Sequence, residues 1–432
     1  MKTPELLAPA GTFKNLRYAI TYGADAVYAG MPRYSLRVRN NDFSTLERLA
    51  EGIAFVHAAG KAFFLASNVL PHNSKVSTFI HDMEPVIALQ PDAIIMADPG
   101  LIMMVRERWP DIPIHLSVQA NTMNYASVKF WQQIGVKRII LSRELSLDQV
   151  EEIRQQCPDI ELEVFVHGAL CIAYSGRCLL SGYFNHRDAN QGSCTNSCRW
   201  DYKVSEAAED DAGNLIPVTV EPEEITPRVS LVEEANRPGE LMAVEEDEHG
   251  TYIMNSKDLR AVEHVERLVN MGIDSLKIEG RTKSHYYAAR TAQVYRKAID
   301  DAVAGRSFDP TLLGKLENLA NRGYTDGFFQ RHHEQDYQNY LDNHSKSEQQ
   351  RFVGELGKYD ADNGMLEVIV KNRFSVGDEL ELILPEGNRT FTLTEMHNRN
   401  GQAVDVAPGS GHHMRIPMQP GNFDMGLLAV NY

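Results

Sequence analysis

The chain has 432 residues, of which 43% are hydrophobic and 24% are charged. This balance predicts a globular protein with a large core and two or three domains. The first residues, MKTPELLAPAG, lack the apolar run of a secretory signal, and no later stretch is apolar enough for a membrane helix. We therefore expect a cytosolic protein.

The net charge of −16 is concentrated in one segment. Between Glu206 and Gly250 there are 14 acidic and two basic residues, so this segment carries −12 and the rest of the chain only −4. A nearly neutral body can still present a local basic patch to a polyanion. The total charge therefore does not exclude a nucleic-acid partner.

Short apolar runs alternate with amphipathic segments, which is the pattern of alternating strands and helices. Eight runs are predicted to be strands: Glu5–Ala10, Ala26–Gly30, Lys61–Asn68, Ala93–Asp98, Ile114–Gln119, Arg138–Glu144, Glu161–Gly168 and Ser275–Gly280. Eight such units predict a TIM-like (β/α)8 barrel of the α/β class, with an open doubly wound sheet as the alternative. In a barrel, the residues that end the strands share one mouth. We expect these residues there: Gly11, Asn68, Asp98, Gln119, Glu144, His167, Glu279 and Arg281.

Two segments interrupt this alternation. Residues 204–250 are acidic and contain several prolines, which predicts an irregular, solvated insertion. The segment Ser256–Met271 is amphipathic, and it predicts a helix that begins at Ser256 and stops at Gly272.

The pattern changes again near the C-terminus. Residues 336–350 are polar and predict a linker, and beyond Arg351 the apolar residues recur with period two, as in Met365–Val370. We predict a barrel over 1–335, which carries a cysteine loop at 169–200 and the acidic insertion at 204–250. A small all-β barrel domain over 351–432 follows the linker.

Four of the five cysteines lie close together, at Cys171, Cys178, Cys194 and Cys198. A disulfide framework explains them poorly, because the chain has no export signal. Their thiolates can converge on one soft metal centre, and the paired CxxC knuckles of a structural zinc site are missing. The spacing favours an iron–sulfur cluster over zinc and over reduced thiols. Cys157 stands apart, and we expect it to be an ordinary packed thiol.

The same segment resembles the signature of the collagenase-like family of peptidases of unassigned mechanism. The matching residues are Glu163, Phe165, Gly168, Ala169, Leu170, Cys171, Gly176, Cys178, Leu180 and Ser181. The resemblance continues in ELLAPAG, GADAVYAG, NSKDL, LKIEGR and RGYTDGF, so it covers nearly the whole barrel. The small β domain also looks like that of the family.

The resemblance implies an activity that the family name does not suggest. The family members most similar to this chain hydroxylate the wobble uridine of tRNA to 5-hydroxyuridine and depend on prephenate. The resemblance also implies that the four clustered cysteines match ligands of a 4Fe–4S cluster, which an aerobic preparation can lose or exchange for zinc. We therefore expect tRNA and prephenate as partners, with an electron-donating or other partner protein as a further candidate.

Two alternatives stay open at this point, a peptidase and a non-catalytic RNA-binding protein. A peptidase needs a positioned nucleophile or a metal-bound water, and the sequence has neither GxSxG nor HExxH. A cysteine nucleophile paired with His167 or His186 is conceivable, but a thiolate bound to iron is not free to attack a carbonyl.

Candidate site residues fall into two groups. Three side chains can transfer protons or orient a substrate: His167, His186 and Glu279. Seven can bind carboxylates, phosphates or a base: Arg37, Arg39, Asn68, Tyr174, Arg187, Lys277 and Arg281. Further arginines near the expected mouth are Arg33, Arg143, Arg177 and Arg199. For each one, an ion pair or a packing role is the ordinary alternative.

Overall fold

The computed structural model describes residues 2–36, 41–170, 174, 177, 258–319, 323–330 and 350–432, together with the backbone of the strands within 202–251. Strands and helices alternate through the first part of the chain. In chain order they are β1 (Glu5–Pro9), α1 (Phe13–Thr21), β2 (Ala26–Ala29), α2 (Leu46–Ala58), β3 (Ala62–Ser67), α3 (Asn73–Val76), α4 (Phe79–Ile87), β4 (Ala93–Met96), α5 (Pro99–Arg108), β5 (Ile114–Leu116), α6 (Tyr125–Gln133), β6 (Arg138–Ile140), α7 (Leu147–Gln156) and β7 (Glu161–Ala169).

Five of the seven helices in this part begin at a polar cap that accepts a hydrogen bond from the first helical turn, and α3 and α4 do not. The capping residues are Thr12, Thr45, Asp98, Asn124 and Ser146. Asp98 was expected among the mouth residues. In the structure its carboxylate caps helix α5, because Oδ1 accepts a hydrogen bond from the Leu101 amide at 2.9 Å.

The acidic insertion contains regular structure. Its strands are β8 (Tyr202–Glu209), β9 (Leu215–Val218), β10 (Val229–Glu234), β11 (Leu241–Asp247) and β12 (Gly250–Thr251), in the antiparallel order β12-β11-β10-β8-β9. The prediction of an irregular segment is therefore wrong. The prolines and glycines between short β-prone runs are better explained as punctuation between strands than as a sign of irregular chain.

The elements that complete the barrel region follow the insertion. They are β13 (Asp258–Arg260), a 3-10 turn (Val262–His264), α8 (Val265–Asn270), β14 (Ser275–Ile278), α9 (His285–Val303), α10 (Thr311–Glu317) and β15 (Tyr324–Thr325). The predicted helix from Ser256 is wrong at its start, because β13 pairs antiparallel with the end of β7, and the helix begins only at Val265. The predicted stop at Gly272 is confirmed, with φ at +77°.

Eight parallel strands close into a barrel. Strands β1 to β7 pair in sequence order, and β14 pairs with both β1 and β7. The register runs through Glu5 opposite Ser275 and Ser275 opposite Glu163. The TIM-like prediction is confirmed, and all eight predicted strands are present. No helix in the described part of the chain is long and apolar enough to cross a membrane.

The C-terminal part is an antiparallel half-barrel, which confirms the all-β prediction. Its strands are β16 (Gln350–Asp360), β17 (Met365–Val370), β18 (Phe374–Ser375), β19 (Glu379–Ile383), β20 (Arg389–Thr392), β21 (His397–Asn398), β22 (Val406–Ala407), β23 (His413–Pro417) and β24 (Leu427–Asn431). Seven of them form one sheet in the order β20-β19-β24-β16-β17-β23-β21. Nearly all of the predicted linker lies outside the described residues, so the predicted boundaries stay a prediction.

The half-barrel is docked on helices α1 and α9 through buried polar contacts. The Arg290 guanidinium, which is 1% exposed, donates to both carboxylate oxygens of Glu381, at 3.1 and 2.5 Å. The Tyr22 hydroxyl donates to the Ile383 carbonyl at 2.9 Å. Because these groups are desolvated, separating the two domains would leave buried charge and backbone unpaired, so the contacts fix the relative position of the domains.

Candidate active site at the barrel mouth

Charged side chains fill the barrel below its mouth. Arg138 enters from β6 and pairs with Glu5 at 2.6 Å, Glu161 at 2.9 Å and Glu163 at 3.2 Å. Lys277, on β14, pairs with the other oxygen of Glu163 at 2.8 Å. Burial alone would raise the pKa of Glu163, but the charges of Lys277 and Arg138 outweigh it and hold that pKa below its usual value. Glu163 is therefore an anion that joins two cations in the barrel interior.

The carboxyl end of β14 forms one wall of the mouth. Tyr28 lies on β2, which is separated from β14 by β1, and its hydroxyl donates a hydrogen bond to Glu279 Oε2 at 3.0 Å. The Arg281 guanidinium is 7% exposed and donates to Ser35 Oγ at 2.8 Å. The Tyr287 hydroxyl, from α9, donates to the Glu279 carbonyl at 2.7 Å. These contacts anchor the KIEGR segment from both sides and hold its charged side chains in place.

Hydroxyl and amide groups line the ends of β3, β5 and β6. Asn68 Nδ2 donates to Ser117 Oγ at 3.1 Å, and Asn121 Oδ1 lies 3.1 Å from Ser142 Oγ. The Ser142 hydroxyl also contacts the Glu144 carboxylate. Asn121 has φ 54° and ψ 54°, a left-handed conformation that is uncommon outside glycine and that recurs at functional sites. This part of the mouth offers several donors and acceptors to a polar substrate.

His167 is held in the layer between β7 and α9. On β14, Lys277 pairs with Phe165, and the next residue, Ile278, pairs with His167. One extra residue of β7 therefore lies between these two pairs and forms a β-bulge. After this bulge the His167 ring packs against the rings of Tyr287, Tyr295 and Tyr324, with centroids 5.4 to 5.7 Å away. His167 was expected in the mouth because it ends a predicted strand, but the bulge directs its side chain away from the mouth.

The tautomer of His167 follows from its hydrogen bonds. The Tyr295 hydroxyl has one proton, and it donates this proton to the Val166 carbonyl at 2.7 Å. In its second contact, at 3.3 Å from His167 Nδ1, the hydroxyl oxygen is therefore the acceptor and Nδ1 is the donor. Nε2 is then an unprotonated acceptor, and it has no partner among the described residues. Burial, together with the charges of Lys283 and Arg260, lowers the pKa of His167 to about 3. The ring is neutral at physiological pH, and neither nitrogen contacts a serine or cysteine of the described residues.

Three predicted substrate or catalytic residues lie around the mouth, namely Asn68, Glu279 and Arg281, and a fourth, Lys277, lies below it in the barrel interior. The Ser35–Leu36 segment contacts both Arg281 and Asn68. The Ser35 hydroxyl accepts a hydrogen bond from Arg281, and the Leu36 amide donates one to Asn68 Oδ1 at 3.3 Å. The Lys277 ammonium lies 4.5 Å from the centre of the Tyr28 ring. The carboxylate that pairs with Lys277 is that of Glu163. Their chemical roles stay predictions.

The remaining predicted residues are either exposed or outside the description. Tyr174 is 53% exposed. The following residues lie outside the described part of the chain: Arg37, Arg39, Cys171, Cys178, His186, Arg187, Cys194 and Cys198. The cysteine segment starts directly after β7, whose last residue is Ala169. Cys157 is a packed thiol as expected, 2% exposed, with Sγ 3.6 Å from the Tyr125 carbonyl.

Sequence reasoning missed several polar residues of the mouth. They are Tyr28, Ser35, Ser117, Asn121 and Ser142. Tyr28 and Ser142 lie within predicted strand runs, so counting alternate positions toward the barrel interior would have found them. Asn121 gives no such signal, since its conformation depends on the turn that follows β5.

The fold and the mouth define a barrel protein of the (β/α)8 class, with polar and charged side chains at the carboxyl ends of the strands and an appended β domain. Residues 11–339 match the model of Peptidase family U32, and residues 348–429 match that of the Peptidase family U32 C-terminal domain. The chain belongs to peptidase family U32.

Relatives of the chain have different names. The tRNA hydroxylation protein P of Escherichia coli is 60% identical over 445 residues, which cover 100% of this chain and 98% of that protein. The tRNA hydroxylation protein P of Haemophilus influenzae is 57% identical, with 99% and 96% covered. The collagenase of Porphyromonas gingivalis is 26% identical, with 96% and 94% covered. The two tRNA proteins are thus far more similar to this chain than the collagenase is.

Proposed function

We propose that this chain hydroxylates the wobble uridine of tRNA at C5 to give 5-hydroxyuridine. The observation that carries the proposal is the 60% identity along the whole chain to a tRNA hydroxylation protein. The reaction converts the C5–H bond to C5–OH, a two-electron oxidation of the base, so an external oxidant must supply the oxygen atom and accept the two electrons. Its site of action is the cytoplasm, where tRNA is abundant.

The mouth suits an extruded base next to charged groups. A base taken out of its stack needs a pocket with hydrogen-bond donors and acceptors for its edge. Asn68, Ser117 and Ser142 offer such groups on one side, and Glu279 and Arg281 lie on another. Substrate contacts by Arg37, Arg39, Arg187 and Tyr174 belong to the same proposal.

The proposal includes a 4Fe–4S cluster held by Cys171, Cys178, Cys194 and Cys198, with prephenate as co-substrate. Four thiolates are a donor set that suits iron–sulfur clusters, and in the sequence their segment begins just after the carboxyl end of β7. When bound, such a cluster supplies one-electron redox chemistry. An electron-donating protein is a further proposed partner. The chain itself would supply the pocket, the charges that orient prephenate, and acid or base groups from Glu279 or His186, whereas the predicted role of His167 does not fit its buried position outside the mouth.

Deleting the gene tests the activity. Nucleosides from the tRNA of the deletion strain should lack 5-hydroxyuridine, and the wild-type gene should restore it. An unchanged 5-hydroxyuridine content in a strain without a second related gene would refute the proposal. Peptide cleavage that persists after all four clustered cysteines are replaced would favour the peptidase alternative instead.

Anaerobic purification tests the cluster separately. The wild-type protein should be brown and contain iron and sulfide, and a variant with all four clustered cysteines changed to serine should be colourless. Cys157→Ser is the matched control, because this thiol is buried beside α6 and should leave the iron content unchanged. Zinc or no metal in a fully anaerobic wild-type preparation would contradict the cluster.

A further inference from the structure

Three described cations lie at the mouth or just below it, and each has different partners. Lys277 is paired with Glu163 at 2.8 Å, and Arg281 donates to Ser35 at 2.8 Å. The third cation, Arg143, follows the end of β6, and its guanidinium carbon lies 3.9 Å from the centre of the Phe165 ring. Among the described residues, no carboxylate lies within ion-pair distance of Arg143, and the neighbouring Glu144 contacts Ser142.

The position of Arg143 directs its charge across the mouth. In the barrel order, β6 lies four strands from β2 in either direction, so Arg143 and Tyr28 extend from opposite walls. Burial and Glu279 raise the pKa of Tyr28, and the charges of Arg281 and Arg143 oppose that rise. The Lys277 ammonium, which lies in the barrel interior, is 5.4 Å from the centre of the same Phe165 ring that Arg143 contacts, so the Arg143 guanidinium also lies on the interior side of the barrel wall.

Stacking on Phe165 leaves the binding capacity of Arg143 intact. A guanidinium contacts an aromatic ring through its flat face, while its five N–H groups point outward in its own plane. The ring thus holds the cation in position, and the planar fork is available to two oxygens of one anion. Phe165 is 5% exposed, so this platform is firmly packed.

We propose that Arg143 binds a carboxylate of the small dicarboxylate co-substrate and so positions it in the mouth. The inference rests on the proposed function, and it selects Arg143 from the further arginines that the sequence places near the mouth. The fork geometry favours a carboxylate, which presents two coplanar oxygens, over a lone hydroxyl or carbonyl.

The test compares Arg143→Ala and Arg143→Lys with the wild type, using prephenate as the probe. Arg108→Ala is the matched control, since this arginine is 54% exposed in its side chain and pairs with Glu84 on the outside of the barrel. Prephenate affinity is measured by calorimetry, tRNA affinity by filter binding at several salt concentrations, and folding by circular dichroism. Arg143→Ala should weaken prephenate binding about 10- to 100-fold, because it removes a charge-assisted hydrogen-bond pair.

The other outcomes are equally specific. Arg143→Lys should bind prephenate with intermediate affinity, since it keeps the charge but loses the fork, and tRNA affinity should change less than about twofold in all variants. Unchanged prephenate affinity in both variants would overturn the inference. Weaker tRNA binding with a salt slope lower by about 1 would also overturn it and identify a phosphate contact. A wild-type protein that neither binds prephenate nor modifies tRNA would refute the proposed function itself.

Discussion

The buried pair of Glu163 and Lys277 allows a quantitative test of the barrel interior. Glu163 is 0% exposed and Lys277 is 3% exposed, with 2.8 Å between Oε1 and Nζ. Glu163→Gln keeps the shape of the side chain but removes the charge that pairs with Lys277 and Arg138. Arg138 keeps Glu5 and Glu161, whereas Lys277 loses its paired carboxylate. Because a buried charge is then uncompensated, we expect the variant to lose roughly 3–5 kcal/mol of unfolding free energy.

Urea unfolding followed by circular dichroism at neutral pH measures this loss. Lys277→Met should also destabilise the protein, and the double variant should lose less than the sum of the two single variants, because Lys277 no longer leaves a buried charge. Arg108→Ala is the surface control, since Arg108 and Glu84 are each 54% exposed, and it should cost less than about 1 kcal/mol. If Glu163→Gln costs no more than this control, the buried network does not stabilise the barrel as argued.

Three further predictions concern the surroundings of the mouth. The stability of the wild type should fall as the pH drops from about 6.5 toward about 3, because the folded protein disfavours the protonated His167 ring; His167→Phe should flatten this dependence of the melting temperature. Gly168→Ala should destabilise the protein more than Gly60→Ala, which thermal unfolding can show: both glycines have positive φ, but only at Gly168 would a Cβ overlap a backbone carbonyl, while nothing lies near Gly60. Arg290→Met should leave Glu381 buried without its cation and loosen the docked half-barrel, so limited proteolysis should cut between the domains sooner than in the wild type.

The fold was predictable because hydrophobic period and chain order carry it. The eight strand runs, from Glu5–Ala10 to Ser275–Gly280, are short and apolar and are separated by amphipathic segments, and the structure confirms each as a barrel strand. The half-barrel was equally accessible, since Met365–Val370 alternates with period two. Such local patterns predict the strands correctly because every strand of a barrel faces the same interior, so each one carries the same kind of apolar pattern.

The failures arose where pairing partners decide the structure. Asp258–Arg260 fits a helical pattern, yet it forms a strand because the long β7 extends beyond β14 and offers its edge. The bulge before His167 also depends on register, and it moves the ring out of the mouth. The partners of Arg138 come from β1 and β7, so no local pattern announces them. Side-chain contacts of this type require the closed barrel to be known first.

Reconstitution with purified components tests the central claim most directly. Anaerobically prepared protein is incubated with prephenate and tRNA from a strain that lacks the gene, and the digested nucleosides are examined by mass spectrometry. We predict that uridine at the wobble position gains the mass of one oxygen atom, and that the variant without the four clustered cysteines produces no such product. The assay is repeated with and without added reductant and with and without oxygen. If intact, iron-loaded protein leaves the tRNA unmodified under all of these conditions, the account is contradicted.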